Sequence, residues 1–335
     1  MDPLSPPKPI ISLIVPTHNS AAFIDETLHA IMTQQHRELE IIVVDDHSGD
    51  ATCDLVLGIN DVRIKCVRLK KNHGGPSRPR NIGAALAQGK YVCFCDSDDQ
   101  LQPGMIVQSI EFLERVPELG MCFWNAIKFD DRTRIEQPPF LSVYRDFNRL
   151  PKKQVAEKWF VITSMHAYHA LFFENFILTS GCVVIPRNVF QQVGGFDDTL
   201  KNGDDRDMWL RIARRYPIGY VDDIGLRYRE RAGSISSRGA VSAQYRVKML
   251  QKHLSADHPP QVRRQIRRRI AENYNAAAYA FHAKGDSAEA RRHYWKGILS
   301  RPTLSGARGL AVSMLGSRLY RILKQWLRVR PARSK

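Results

Sequence analysis

Asp96-Ser97-Asp98-Asp99 follows directly on the apolar run Tyr91-Val92-Cys93-Phe94-Cys95, so carboxylates cluster where a strand should leave a sheet. Carboxylate oxygens at that density suit a hard divalent cation, Mg²⁺ or Mn²⁺, whose open coordination positions a diphosphate can fill. Two carboxylates spaced i, i+2 just past a strand can point one at the ion and the other at its water or at a ribose, and Asp96 and Asp98 hold those positions. Asp99 is expected to act as a helix cap or as an acceptor behind them, because Pro103 soon opens a helix. The plain alternative is a solvated acidic turn.

An acidic turn matters only if a sheet delivers it to a cleft, and the chain ahead of it has that pattern. From Ile10, apolar segments alternate with helix-period segments: strand 10–16, helix 21–36, strand 39–45, helix 50–59, strand 62–68, helix 77–88 and strand 90–95. This βαβα order specifies an α/β fold with a doubly wound, Rossmann-like, mostly parallel sheet. Runs such as Ile41-Ile42-Val43-Val44 suit strands covered on both faces. Ligands of such sheets lie beyond the carboxyl ends of the strands. Three of those ends carry polar clusters: Pro16-Thr17-His18-Asn19, Asp45-Asp46-His47-Ser48-Gly49-Asp50 and the acidic quartet. The sheet would make them neighbours.

Farther on, a helix is expected after Pro103 and a strand near 120–129. Residues 130–178, rich in aromatics and His, read as an insertion covering one side of the site. A strand at 179–185 closed by Pro186, the Gly194-Gly195-Phe196-Asp197 turn and a helix from Asp204 to Arg215 follow. Beyond about residue 240 the pattern is one of basic helices. Tyr274, Ala278, Gly285-Asp286, Ala290, Tyr294 and Pro302 are spaced like one tetratricopeptide-type hairpin, with a plain helix pair as the alternative.

At 335 residues and 43% apolar content there is material for one large α/β domain and an appendage. The net charge of +16 is lopsided: residues 241–335 hold 21 Lys/Arg against 4 Asp/Glu, and the first 240 hold 29 against 30. The expected organisation is a Pro-rich tail 1–9, an α/β domain 10–240 and a basic helical extension 241–335. Six cysteines without a C-x-x-C pair point to reduced thiols in a cytosolic protein. No signal-peptide core and no apolar run near the ~20 residues of a membrane span is present, so a cytoplasmic location is expected. Gly74-Gly75 and Gly83 do not make a G-x-G-x-x-G turn and no Gly-Lys-Ser/Thr loop occurs, which removes the main support for dehydrogenase and P-loop classes.

The ordered set Val15-Pro16-Thr17-His18-Asn19, Val43-Val44-Asp45-Asp46-His47-Ser48-Gly49-Asp50, Arg80-Asn81-Ile82-Gly83, Asp96-Ser97-Asp98-Asp99, Gly194-Gly195-Phe196-Asp197 and Gly203-Asp204-Asp205 resembles family 2 glycosyltransferases of the GT-A fold over residues 10–240. The resemblance implies a nucleotide-sugar donor, uridine-linked, with Pro16, Thr17, Asn19, Asp45, Asp46, Arg80, Asn81, Asp96 and Ser97 around it. Thr17 and Asp45 would meet the base, and Arg80 would steady a phosphate through its planar fork of donors. Asp98 and Asp96 would hold Mn²⁺ or Mg²⁺, which neutralises charge on the departing diphosphate. Asp204-Asp205 matches the family's Glu-Asp pair, with Asp205 implied as general base and Asp204 as its alternate; a helix-capping pair is the bland reading. The implied reaction is a single in-line displacement with inversion, onto a glycan or lipid-linked acceptor in cell-surface polysaccharide or glycolipid synthesis. One position departs from the family: Arg231 stands where many relatives carry a His after a Tyr-Arg pair. An arginine does not ligate a cation, so Arg231 is expected to contact the diphosphate.

Two rival classes are a metal-dependent nucleotidyltransferase, which would carry a glycine-rich basic loop after the first strand, and a non-catalytic nucleotide-sugar-binding scaffold. At ~100° per residue Leu315, Leu319, Ile322, Leu323, Trp326 and Leu327 share one arc opposite Arg318, Arg321, Lys324 and Arg328. Segment 305–330 therefore suits the inner face of an anionic membrane, as a peripheral contact, or docking on the rest of the chain. Arg263-Arg264-Gln265-Ile266-Arg267-Arg268-Arg269 has no groove-reading motif or stacking platform beside it, so no specific nucleic acid is expected.

Overall fold

Ile11, Leu13, Ile14 and Val15, and Ile41 through Val44, are wholly enclosed, as their near-continuous apolar runs require of strands covered on both faces. The computed structural model describes residues 8–34, 36, 38–231, 239–255 and 257–314. They fall into two compact units, one ending at Ala232 and one beginning at Gly233.

The first unit opens with β1 (Ile11–Thr17), α1 (Ile24–Met32), β2 (Leu39–Asp45), α2 (Thr52–Gly58), β3 (Ile64–Arg68), α3 (Ser77–Leu86) and β4 (Tyr91–Phe94). It continues with β5 (Gln100–Leu101), α4 (Met105–Arg115), β6 (Met121–Asp130), α5 (Arg145–Arg149), β7 (Lys153–Gln154), β8 (Trp159–Ile162), α6 (Ser164–Phe173), β9 (Val183–Pro186), α7 (Arg187–Gln192), α8 (Asp204–Ala213) and β10 (Ile218–Glu230). One mixed sheet runs β3-β2-β1-β4-β9-β6-β10-β8-β7, with β5 on β10. The first four strands are parallel; β9 enters antiparallel between β4 and β6, and β6 and β10 run parallel again. The register sets Thr17 beside Asp45 and Ile14 beside Phe94, so the polar clusters after β1, β2 and β4 share one edge of the sheet.

Gly83 fixes how α3 lies on that sheet. A Cβ there would meet Ile14 Cγ2 at 2.4 Å, so only glycine allows the close approach that carries Arg80, one turn earlier, to the strand ends.

Two local expectations are corrected. Of the two roles expected for Asp99 the structure shows the acceptor, toward the Arg229 amide, and not the cap: β5 intervenes and pairs with β10, and α4 starts at Met105 behind the left-handed Gly104 rather than at Pro103. The strand expected over 179–185 begins at Val183, because residues Ser180–Cys182 form a 3₁₀ turn that brings the preceding Thr179 to Asp96. Residues 130–178, expected as an insertion, contain α5, β7, β8 and α6. Their β8 extends the sheet antiparallel to β10, and Leu171 at the end of α6 accepts a hydrogen bond from Arg206 of α8.

The second unit holds α9 (Gly239–Leu254), α10 (Pro260–Ala283), α11 (Ser287–Ser300) and α12 (Leu304–Met314). α10 and α11 form a hairpin about Gly285 (φ 88°), and Asp286 caps α11 by accepting from the Glu289 amide. Residues 315–330, the amphipathic part of the tail, lie outside the described residues. Among the described residues no helix is long and apolar enough to cross a membrane.

Candidate active site

Arg80 joins the two acidic groups. Only 4% exposed, it reaches Asp96 Oδ1 through Nη2 at 2.5 Å and Asp204 Oδ2 through Nη1 at 3.2 Å, with its guanidinium over the Phe196 ring. Asp204 also accepts from Ser77 Oγ at 2.7 Å, and Asp96 from Thr179 Oγ1 at 3.1 Å. Residues 96 and 204, far apart in the chain, thus sit one arginine apart. α8 supplies Asp204 and Asp205 from its first turn, entered through the left-handed Gly203 (φ 79°).

On the other side of the turn, Arg231 Nε donates to Asp98 Oδ2 at 2.7 Å. Arg229 lies behind it, giving its backbone amide to Asp99 Oδ1 at 3.0 Å and Nε to the Asp98 carbonyl at 2.8 Å. Ser97 Oγ meets Ser20 Oγ at 2.7 Å, tying the turn to the segment after β1.

The rim is overloaded with negative charge. Burial, then the charges of Asp98 and Asp96, hold Asp99 well above the usual carboxylate range. Burial and Asp96 raise Asp98, and Arg231 offsets them only in part. Burial raises Asp204 against the pull of Arg80. Asp205 is pushed up to about 7, by burial first and by Asp204 next. Burial works against the Arg80 cation, yet Asp96 and Asp204 hold it more firmly protonated than usual.

Among the described residues no three His, Cys, Asp or Glu side chains form a ready-made metal cage. Asp96 and Asp98 nevertheless fit a hard divalent ion. Both offer carboxylate oxygen, the donor such an ion takes, from one turn in which Arg80 and Thr179 now hold Asp96 and Arg231 holds Asp98.

Thr17 is buried at the end of β1 and its hydroxyl has no partner among the described residues. Pro16 lies in β1 opposite Val44. Asn19 has left-handed backbone (φ 51°) and accepts from the Gly49 amide at 2.8 Å, which ties the loop after β1 to the loop after β2. Three more of the side chains expected around the donor are, like Asp96, Ser97 and Asn19, hydrogen-bonded within the chain. Asp45 is wholly enclosed and bound by the Ser48 amide and hydroxyl, with Arg68 at 3.4 Å. Asp46 accepts from the amide and ring of His73 at 2.9 and 2.7 Å. Asn81 makes a two-way bond with the Phe196 backbone at 2.8 and 2.9 Å. Only the first of these is local, a carboxylate turning back onto the donors of its own loop; His73 and Phe196 reach Asp46 and Asn81 from 27 and 115 residues away in the chain.

Sequence reasoning missed Ser77, His73, Thr179 and the role of Arg229. Ser77 had a signal, since it lies three residues before Arg80 on one helix face. Thr179 had none, because a 3₁₀ turn has no periodicity of its own to read.

The family model for glycosyl transferase family 2 matches residues 12–194. An uncharacterized glycosyltransferase of Rickettsia prowazekii is 26% identical over 230 residues, 68% of this chain and 66% of that protein. The poly(ribitol-phosphate) beta-N-acetylglucosaminyltransferase TarS of Staphylococcus aureus is 38% identical over 106 residues, 31% of this chain and 18% of that one. The chain thus spans just under two thirds of the length of the first and less than a fifth of the second. The crystal structure of TarS 1-349 in complex with UDP-GlcNAc superposes with a TM-score of 0.64 at 20% identity, covering 95% of this chain and 91% of that one. The mannosyltransferase PcManGT from Pyrobaculum calidifontis, in complex with GDP-Man and Mn²⁺, gives 0.57 at 20% identity, covering 95% and 83%. At these identities the superpositions show the fold, which is GT-A.

Proposed function

The chain belongs to glycosyl transferase family 2, and on that premise we propose that it transfers a sugar, with inversion, from a uridine-linked donor to a glycan or lipid-linked acceptor. The arginine bridge carries the proposal, because Arg80 holds a donor-side carboxylate, Asp96, and a base-side carboxylate, Asp204, in one buried constellation. A nucleotide-sugar site needs hydrogen-bond partners for a base at one end and cations for a diphosphate at the other. The unpartnered Thr17 hydroxyl supports the first, and Arg80 and Arg231 the second.

Asp96 and Asp98 would hold Mn²⁺ or Mg²⁺, which when bound supplies Lewis-acid stabilisation of the leaving nucleoside diphosphate. Arg80 and Arg231 steady the diphosphate oxygens. Asp205 takes the proton of the acceptor hydroxyl as that oxygen bonds to the anomeric carbon. The bond from that carbon to the diphosphate breaks, its electron pair leaves with the phosphate oxygen, and the nucleoside diphosphate departs. Polysaccharide or glycolipid synthesis at the cytosolic face is the matching setting. The basic tail would meet anionic lipid there, and α12 at its start leaves Leu304 and Met314 exposed.

The test is a panel of sugar nucleotides assayed for slow hydrolysis and for transfer, with and without Mn²⁺. Release of free UDP that depends on metal is expected. Release of pyrophosphate, or binding without turnover, would overturn the proposal in favour of a nucleotidyltransferase or a scaffold.

A further inference from the structure

Arg229 is the most heavily engaged side chain near the rim, and nothing in the proposed chemistry uses it. Its side chain is 1% exposed. Nε donates to the Asp98 carbonyl at 2.8 Å, Nη1 to Asp131 Oδ1 at 2.6 Å and Nη2 to Glu26 Oε2 at 2.7 Å, while its own amide donates to Asp99 Oδ1 at 3.0 Å. The guanidinium lies between the rings of Phe23 and Phe129, 5.0 and 4.9 Å from their centroids. These six partners come from four places: the acidic turn, β6 and the residue just past it, α1, and the segment that leads from Thr17 into α1.

We infer that Arg229 is a positioning residue that sets the acidic turn to receive its cation and fixes that turn against the segment bearing Thr17. The inference rests on the donor-and-metal reading above. The carbonyl it grips belongs to Asp98 and the carboxylate its amide holds belongs to Asp99. The direction of the Asp98 side chain is therefore set from behind by a buried fork whose far tines are anchored on Asp131 and Glu26. Lysine cannot do this, because one ammonium does not span three acceptors arranged around a planar guanidinium. Residues that orient metal ligands in this way commonly change metal affinity 10–100-fold when replaced. A residue needed only for folding would change stability and leave affinity per folded molecule alone.

The experiment measures Mn²⁺ binding to the full chain by electron paramagnetic resonance in the presence of UDP, with thermal melts as a control, for wild type, Arg229→Lys and Glu26→Ala. Glu26 is 41% exposed, so its variant tests the anchor even if Arg229→Lys does not fold. The expected result is a Kd for Mn²⁺ about 10–100-fold weaker in Arg229→Lys, and weaker in the same direction by at least about threefold in Glu26→Ala. Folded variants with the wild-type Kd would overturn the inference. A wild type that binds no Mn²⁺ with UDP present would overturn the metal reading on which it stands, and the two failures are distinct.

Discussion

The two units treat charge in opposite ways. At the strand ends of the first, Asp99, Arg80, Arg229 and Asp204 are 0%, 4%, 3% and 6% exposed. In the second, Arg263, Arg264, Arg267 and Arg268 line the exposed side of α10, and Arg268 meets Glu272 with 65% of its side chain in solvent. Taking a charge out of water costs several kcal/mol unless partners return it, and well-packed apolar side chains would have been cheaper. Exposed arginines carry no such cost. The lesson is that net charge misdirects: the basic unit dominates the +16, while the neutral-looking unit is the one that spends folding energy on buried charge.

The sharpest way to break this contrast is at Asp205. Asp205→Asn keeps shape and removes the proton acceptor, so kcat should fall by about 10²–10⁴ with donor affinity within about twofold of wild type. Coupled detection of released UDP and calorimetric titration of the donor would measure the two, and full turnover in the variant would sever the buried rim from catalysis. Next in size is Arg80→Met. It leaves Asp96 and Asp204 facing each other without their common cation, and a loss of about 3–5 kcal/mol in urea unfolding is expected. A loss below about 1 kcal/mol would mean that the bridge is not what holds the rim.

The contrast also marks what could be read from the chain. The parallel half was legible because its strands are buried on both faces, so hydrophobic runs report them directly: the strand expected over 39–45 is β2, Leu39–Asp45. Acidic residues at strand ends were legible because topology gathers such ends. Their partners were not. Arg80 bridges Asp96 and Asp204 only because Gly83 lets α3 approach Ile14, and that contact lies in three dimensions rather than in any period. Asp45, Asp46 and Asn81 stand out in one dimension, but their bonds to Ser48, His73 and Phe196 do not. The antiparallel half was harder because β9 and β5 are only four and two residues long, too short to show alternation.

A third prediction concerns pH. Asp205 is pushed up to about 7 in the folded chain, above the ordinary carboxylate range, by burial and then by Asp204. The base form therefore exists only above that value, and kcat/KM should drop about tenfold per pH unit below it. The stability sign is opposite. A raised carboxyl favours the protonated folded state, so wild-type stability declines as pH rises from about 4, the unfolded value, to about 7. Asp205→Asn carries no such cost, so its melting temperature should exceed that of wild type, by a margin that grows across this window and then levels off. A margin independent of pH would mean that residue 205 is ionised throughout.

The smallest effect belongs to the other side of the contrast. The pair between Arg268 and Glu272 is an i,i+4 contact at 2.8 Å with 65% of the arginine and 38% of the glutamate exposed. Water screens such a pair, and holding two long side chains in one geometry costs entropy, so exposed pairs are worth about 0.3–0.5 kcal/mol. Arginine and alanine are both good helix formers, so propensity adds little. Arg268→Ala should therefore shift urea unfolding by about 0.5 kcal/mol or less and leave transfer to a soluble acceptor unchanged. The same substitution distinguishes a solvated face from a binding one. If it weakens binding to vesicles that contain anionic lipid, by a margin that shrinks as ionic strength rises, the exposed arginines have a partner and the simple contrast between spent and idle charge fails.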